Sequence, residues 1–424
     1  MVFRSSFWLK FSLINLLIVA LLGLLMRYKI GFEFPFFDQK HLQHSHSHFA
    51  FSGWISHTLM VLMILYLEKK IVLRHAQDDK NKKKTQNQIL KKYNSILIGN
   101  LICAYAMLVS FIIQGYGLIS IVFSTSSIVI AFVFAYFFFQ DLKLIPKEDA
   151  SKSWFKAALF FNVISSLGTF ALAYMMMTKN IHQNEYLASI YYYLHFQYNG
   201  WFFFACMGLL ISFLQLKASE NIFYFRSFWW FFGSCIPAYF LSTLWLELPI
   251  WVYSLTVIAA IIQVATWFKF LTLILKTKKA FFENLPFFLH YILLFVGFAL
   301  SVKFVLQLGS TIPALSKLAF GFRPIVIAYL HLVLLAIITL FLLFYIYANN
   351  LIHSNKPIKK GVIIFSIGVF LNEIILAFQG IASFSYTMIP WINELLLLAA
   401  IVLVIGIAIT TFFSLKKVKK DTIL

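Results

Sequence analysis

Charge is scarce in this chain. Only 12% of its 424 residues are Asp, Glu, Lys or Arg, whereas 61% are hydrophobic. A soluble protein cannot hide that much apolar surface, and apolar runs of about twenty residues recur throughout, the length that crosses a bilayer as a helix. Cysteine is just as sparse. Cys103, Cys206 and Cys235 each fall inside an apolar run without paired spacing, which excludes a disulfide framework and a thiolate metal site. No small-residue cleavage site follows Arg4, Lys10 and the first apolar run, so this run reads as a retained helix and not as a removed signal peptide.

What the chain does have is a positive excess, a formal net charge of +20. In a soluble protein that balance suggests nucleic acid. Here the basic residues sit in short loops between apolar spans, and they report orientation instead. The spans lie at roughly 7–27, 47–67, 94–115, 118–140, 153–177, 192–216, 227–245, 248–275, 285–307, 323–348, 360–382 and 392–415. Pro249 and Glu247 divide the nearly continuous stretch 227–275. With the N-terminus inside, about 27 of the 35 Lys and Arg residues fall on the cytoplasmic side and about seven outside. The sequence therefore predicts an all-α polytopic protein of the bacterial inner membrane. It has about twelve helices, both termini cytoplasmic and one transmembrane domain, 1–424, in contact with the lipid bilayer and not with nucleic acid. The run 80–92 reads as a solvated loop.

The eleven histidines are few, and their placement is patterned. HLQHSHSHFAFSGW opens the second span with His41, His44, His46 and His48, and His57 lies deeper. His195 falls in the sixth span, in LHFQYNGW, and His331 in the tenth, in YLHLVLL. The stretches starting at His48 and His195 share His, Phe, Gly and Trp in register, as Gly53 and Trp54 answer to Gly200 and Trp201. The third copy keeps only the histidine and its apolar continuation. The spacings of 147 and 136 residues predict three units of four helices, about 1–140, 150–275 and 283–415.

Spans two, six and ten all run inward, and each histidine lies in the outer part of its span, so the three come to similar depth. Intramembrane ionisable groups are costly and default to functional roles. Imidazole suits haem iron, copper or zinc. Haem fits best, because two opposed helices can each supply one axial nitrogen. Gly53 and Gly200 leave room for a flat cofactor or a close helix. Arg323, about two turns outward of His331, is placed to meet a propionate or to snorkel to the interface. There is no CxxCH haem attachment, soluble cytochrome domain or nucleotide-binding signature, so a redox partner would be a separate cytochrome subunit or a quinol.

These residues resemble the catalytic subunit I of the haem–copper oxidase superfamily, which has twelve helices in three four-helix arcs. HSHFAFSGW looks like the helix-two stretch of divergent oxidase-like and nitric-oxide-reductase-like members, and YLHLVLL like the helix-ten stretch. The resemblance covers the whole chain in topology and about three short motifs in sequence. It implies that His48 or its neighbour His46, together with His331, holds a low-spin haem b, and that His195 stands at the first copper-site position. Copper or non-haem iron could occupy that second site. The chain departs from the pattern where helix seven reads FWWFFGSCIPAYF without a His-His pair. Tyr329 replaces the high-spin haem's histidine, and Asn199, beside Tyr198, replaces the crosslinking tyrosine or the reductase glutamate. A standard binuclear centre cannot be built from these ligands.

The expectation is thus a haem b membrane protein of oxidase-like fold, carrying electrons or acting on a small gas or a quinol. The alternatives are a non-catalytic haem or copper membrane protein similar to the twelve-helix NnrS family, or a transporter. Midplane polar groups for transport are few: Gln114, Gln263, Asn372 and Glu373. His41, His44 and His46 form either a hydrated cluster or a copper or zinc site.

Overall fold

The computed structural model describes residues 5–74, 79–216 and 221–416, and among them every regular element is helical. Eleven helices are long and apolar enough to cross a membrane: α1 Ser5–Gly31, α2 Gln39–Ile71, α3 Leu90–Gln114, α4 Leu118–Leu144, α5 Ser151–Thr178, α6 Gln183–Leu214, α8 Ile250–Thr277, α9 Phe287–Gly309, α10 Arg323–Ala348, α11 Lys356–Phe384 and α12 Ile392–Leu415. The protein is a polytopic α-helical membrane protein.

The seventh expected span, 227–245, departs from this pattern. Its helix α7, Ile222–Cys235, has 14 residues and gives way to a 3-10 turn over Pro237–Thr243. Proline lacks the N–H that would continue the ladder and crowds the carbonyl four residues back, so the α-helix ends there. Among the described residues the count of long spans is therefore eleven, with α7 as a shorter, broken element in the seventh place.

Two spans begin earlier than hydropathy predicts. The α2 helix starts at Gln39 because the Asp38 carboxylate accepts from the His41 N–H at 2.8 Å and caps it. The same bond holds the Asp38 carboxyl below its ordinary value. The histidine cluster is thus inside a helix and not ahead of one. The run expected to be a loop, 80–92, is also helical, since the helix that becomes α3 begins at Asp79. Lys, Gln and Leu are good helix formers and carry the span beyond the apolar stretch. The side chains of Arg74, Lys80, Lys82, Lys83 and Lys84, and residues Arg4, Lys217, Lys417, Lys419 and Lys420, lie outside the described set.

Helices α2 and α6 are the most enclosed spans, while the others present an apolar side outward, with Leu118, Phe298 and Ile381 exposed there. Near the Lys10 end of the bundle, buried Asp141 accepts from Tyr93 and pairs with Lys92, each at 2.6 Å. Lys70 pairs with Asp149 at 2.6 Å. The close crossing of α11 and α12 needs small residues. A Cβ on Gly406 would stand 2.3 Å from the Phe365 nitrogen, and one on Gly361 2.5 Å from Thr410 Oγ1. The far face of α12 packs on α1, where Thr411 Oγ1 donates to the Leu13 carbonyl at 3.2 Å.

Candidate functional site

Helical periodicity divides the four clustered histidines of α2 between two faces. His41, His44 and His48 share one face and turn toward the α3–α4 corner. The His41 ring lies where a Cβ on Gly115 would be, 2.6 Å away, and Gly115 itself has a φ of +57°, so both the turn and the ring require glycine. His44 meets the Tyr116 ring edge to face at 4.6 Å. His48 stacks on Phe111 at 4.3 Å and shares a 3.0 Å hydrogen bond between Nε2 and the Tyr116 hydroxyl. No group of three or more His, Cys, Asp or Glu side chains stands close enough to hold a metal ion among the described residues.

His46 faces the other way, toward α1 and α10. Its Nδ1 lies 3.1 Å from the Val19 carbonyl, and the ring sits over Gly23. His331 on α10 has its Nδ1 2.9 Å from the Ile327 carbonyl, one turn back. A carbonyl only accepts, so in both rings Nδ1 carries the proton and Nε2 keeps its lone pair. Neither Nε2 has a hydrogen-bond partner among the described residues. Both residues are half-buried. The two are near enough to interact electrostatically, and Arg27 of α1 acts on both.

Arg27 escaped the reading of the sequence. It is half-buried and makes no hydrogen bond or ion pair among the described residues. Its only sequence signal was position, one turn outward of the small residue Gly23 on which His46 rests. Arg323, the expected propionate partner, is exposed and donates from Nη2 to Gln43 Oε1 at 2.9 Å, tying the start of α10 to α2.

His195 is in a different situation. It is fully buried and both ring nitrogens are engaged: Nε2 with the Cys235 carbonyl at 2.9 Å, and Nδ1 with the Asn199 amide nitrogen at 3.1 Å. The Cys235 carbonyl is free to accept because the break at Pro237 shifts the next turn to 3-10 pairing, in which Tyr239 N–H bonds Ile236. Lys303 of α9, 3% exposed, lies near His195 and Cys235 with its ammonium 4.2 Å from the Phe304 ring centroid. Tyr198 and Tyr329 meet edge to face at 6.2 Å. His290 donates to the Phe282 carbonyl at 3.1 Å, far along α9 from these groups.

The glycines beside the histidines serve packing. A Cβ on Gly53 would be 2.7 Å from the Phe49 ring, and one on Gly200 would be 2.5 Å from Phe161. Directly after the histidines, each of the three helices widens into a π-helical segment, at Ala50–Ser56, Phe196–Phe202 and Leu332–Thr339. Such segments are rare and cluster at functional sites. Their tryptophans reach across the bundle. Trp201, six residues past His195, donates to the hydroxyl of Ser56, eight past His48, at 3.2 Å. Trp54, six past His48, donates to Thr339, eight past His331, at 2.9 Å. The remaining pair in this series is Ile337 and Phe203, and both line one apolar cleft.

No protein-family model matches the chain, and no curated protein matches it.

Proposed function

We propose that this is a haem b membrane protein of oxidase-like fold, in which His46 and His331 are the axial ligands and electron transfer is the activity. The observation that carries the reading is the matched state of the two rings. Each Nδ1–H is fixed by a backbone carbonyl and each Nε2 is left with a free lone pair. Metal-ligating histidines are held in that way, with the outer nitrogen oriented by a hydrogen bond. Arg27, with Arg323 further outward, offers cations for carboxylate groups of the cofactor. A haem b bound there would supply one-electron redox chemistry. His48 is committed to Phe111 and Tyr116, which favours His46 of the two candidates.

The same reading takes the three π-helical segments and the tryptophan pairs as marks of a threefold internal repeat, with units near 1–140, 150–275 and 283–415. It gives His195 a structural role, since neither of its nitrogens is spare, and so leaves no copper or non-haem iron centre there. The electron donor would be a quinol or a separate cytochrome subunit. Both chain ends are assigned to the cytoplasm of a bacterial inner membrane on the distribution of Lys and Arg. A reporter fused after residue 280 tests that assignment, and a periplasmic signal there would overturn it.

The deciding experiment is an optical spectrum with metal analysis of protein purified after haem-replete expression. A sharp low-spin Soret band and one iron per chain are expected. Folded, colourless protein would overturn the reading and restore transport as the leading alternative.

A further inference from the structure

The cleft at Ile337 and Phe203 has a volume of about 850 Å³, within the range of sites for small molecules, ~300–1,000 Å³. It lies between α8 and α9, with α6 and α10 behind. Its walls include Leu271, Gly297 and Phe341. Phe268 and Phe298 on its rim are exposed on the outward side, so it opens toward the hydrocarbon. The polar groups within it satisfy one another: Trp267 Nε1 donates to Ser301 Oγ, and Ser301 Oγ to the Gly297 carbonyl, each at 2.8 Å. An occupant of the deep part is therefore offered only apolar contact.

The mouth is different. It holds Lys279, Glu283 and His290. Lys279 and Glu283 stand 3.8 Å apart and both are well exposed, so this pair adds little. Lys276 is exposed at the end of α8, one residue past Leu275 of the cleft wall. Lys276 and Lys279 thus stand with one carboxylate, Glu283, where the cleft meets the membrane surface. An apolar slot open to lipid and ending at a basic rim complements an amphiphile with a negative head.

We propose that this cleft is a binding site for one anionic phospholipid, with the phosphate at Lys276 and Lys279 and the acyl chains against Gly297, Leu271 and Phe341. At this third interface Ile337 and Phe203 stand where the other two interfaces carry the indole–hydroxyl pair, and they form part of the apolar back wall. A small lipid with a neutral head would fit the slot but would find no reason to prefer this mouth.

Native mass spectrometry of the full chain in mild detergent tests the site, with added phosphatidylglycerol and phosphatidylcholine as probes. One phosphatidylglycerol should be retained at activation that strips phosphatidylcholine. Each lysine contributes about fivefold in preference at a membrane surface, so Lys276→Gln and Lys279→Gln together should remove the preference while leaving the helical circular dichroism unchanged. Gly297→Trp fills the slot and should abolish retention of either lipid. If that variant does not fold, the lysine variant still decides. Equal retention of both lipids by the wild type, an unchanged preference in the lysine variant, or a co-purified neutral quinone in place of phospholipid would each overturn the proposal.

Discussion

The indole of Trp54 donates to the hydroxyl of Thr339 over 2.9 Å, joining two π-helical segments that are 285 residues apart in sequence. Both side chains are buried, and Thr339 in turn donates to the Leu334 carbonyl at 2.8 Å. A buried hydrogen bond of this kind holds α2 and α10 in register, and it does so about two turns below His46 and His331.

That register can be measured by a double-mutant cycle of Trp54→Phe and Thr339→Val. Each single change should cost about 1–2 kcal/mol, because it leaves a buried polar group without its partner. The coupling should be smaller, about 0.6 kcal/mol, as for other hydrogen bonds between membrane helices. Additive effects in unfolding titrations would show that the bond contributes no specificity.

The four histidines should separate cleanly. His46→Ala and His331→Ala are expected to lose the low-spin Soret band, whereas His48→Ala should keep it and lose only the contacts with Phe111 and Tyr116. His195→Ala should also keep the band, and should cost about 1–3 kcal/mol of stability by stranding the Cys235 carbonyl and Asn199. Loss of the band in His48→Ala alone would reverse the assignment.

Arg27 supplies a test that does not depend on loss of ligands. Removing a cation beside a redox centre disfavours the reduced form, so Arg27→Gln should lower the midpoint potential. On the order of 60 mV is expected, a tenfold change for a one-electron couple. Arg323→Gln, at an exposed position, should move it much less. Redox titration of the Soret band distinguishes the two, and an unshifted Arg27→Gln would remove this residue from the site.

Asp38 gives a dependence on pH. Its folded carboxyl is held below the ordinary 3.8 by the His41 N–H, so the cap is complete above that value and is lost as pH falls through the folded one. Protection of the first-turn amides of α2, taken relative to the intrinsic exchange rate at each pH, should therefore fall on acidification below about 4 in the wild type. Asp38→Ala should show fast exchange already at neutral pH. Protection in the wild type that stays constant across this range would mean the cap is not formed.

Much of the architecture was legible because hydropathy and helix length obey one constraint, the thickness of hydrocarbon. The span at 323–348 coincides with α10, and the break foreseen at Pro249 is where α8 starts. The misreadings share a cause. Helix entries made of His, Ser and Gln look like loops to an apolar scan, yet a single Asp38 cap extends α2 through all of them. Depth of the histidines could be read from position, but their facing could not. One residue of helix rotation turns a ring by about 100°, which is why His46 and His48 could not be told apart before their neighbours were known. Lys303 and Arg27 were invisible for the same reason, since burial belongs to the neighbours and not to the residue.

The order in which the chain is made gives the pair Trp54–Thr339 a further meaning. Helices emerge N-terminus first and domains form as synthesis proceeds, so Trp201 can find Ser56 once α6 has inserted. Trp54 and His46, both on α2, must wait for residues of α10, which arrive much later. Until then the half-made bundle is open on one side, with an indole N–H and an imidazole turned toward lipid. Insertion of α10 closes the indole bond and completes the histidine pair in a single event.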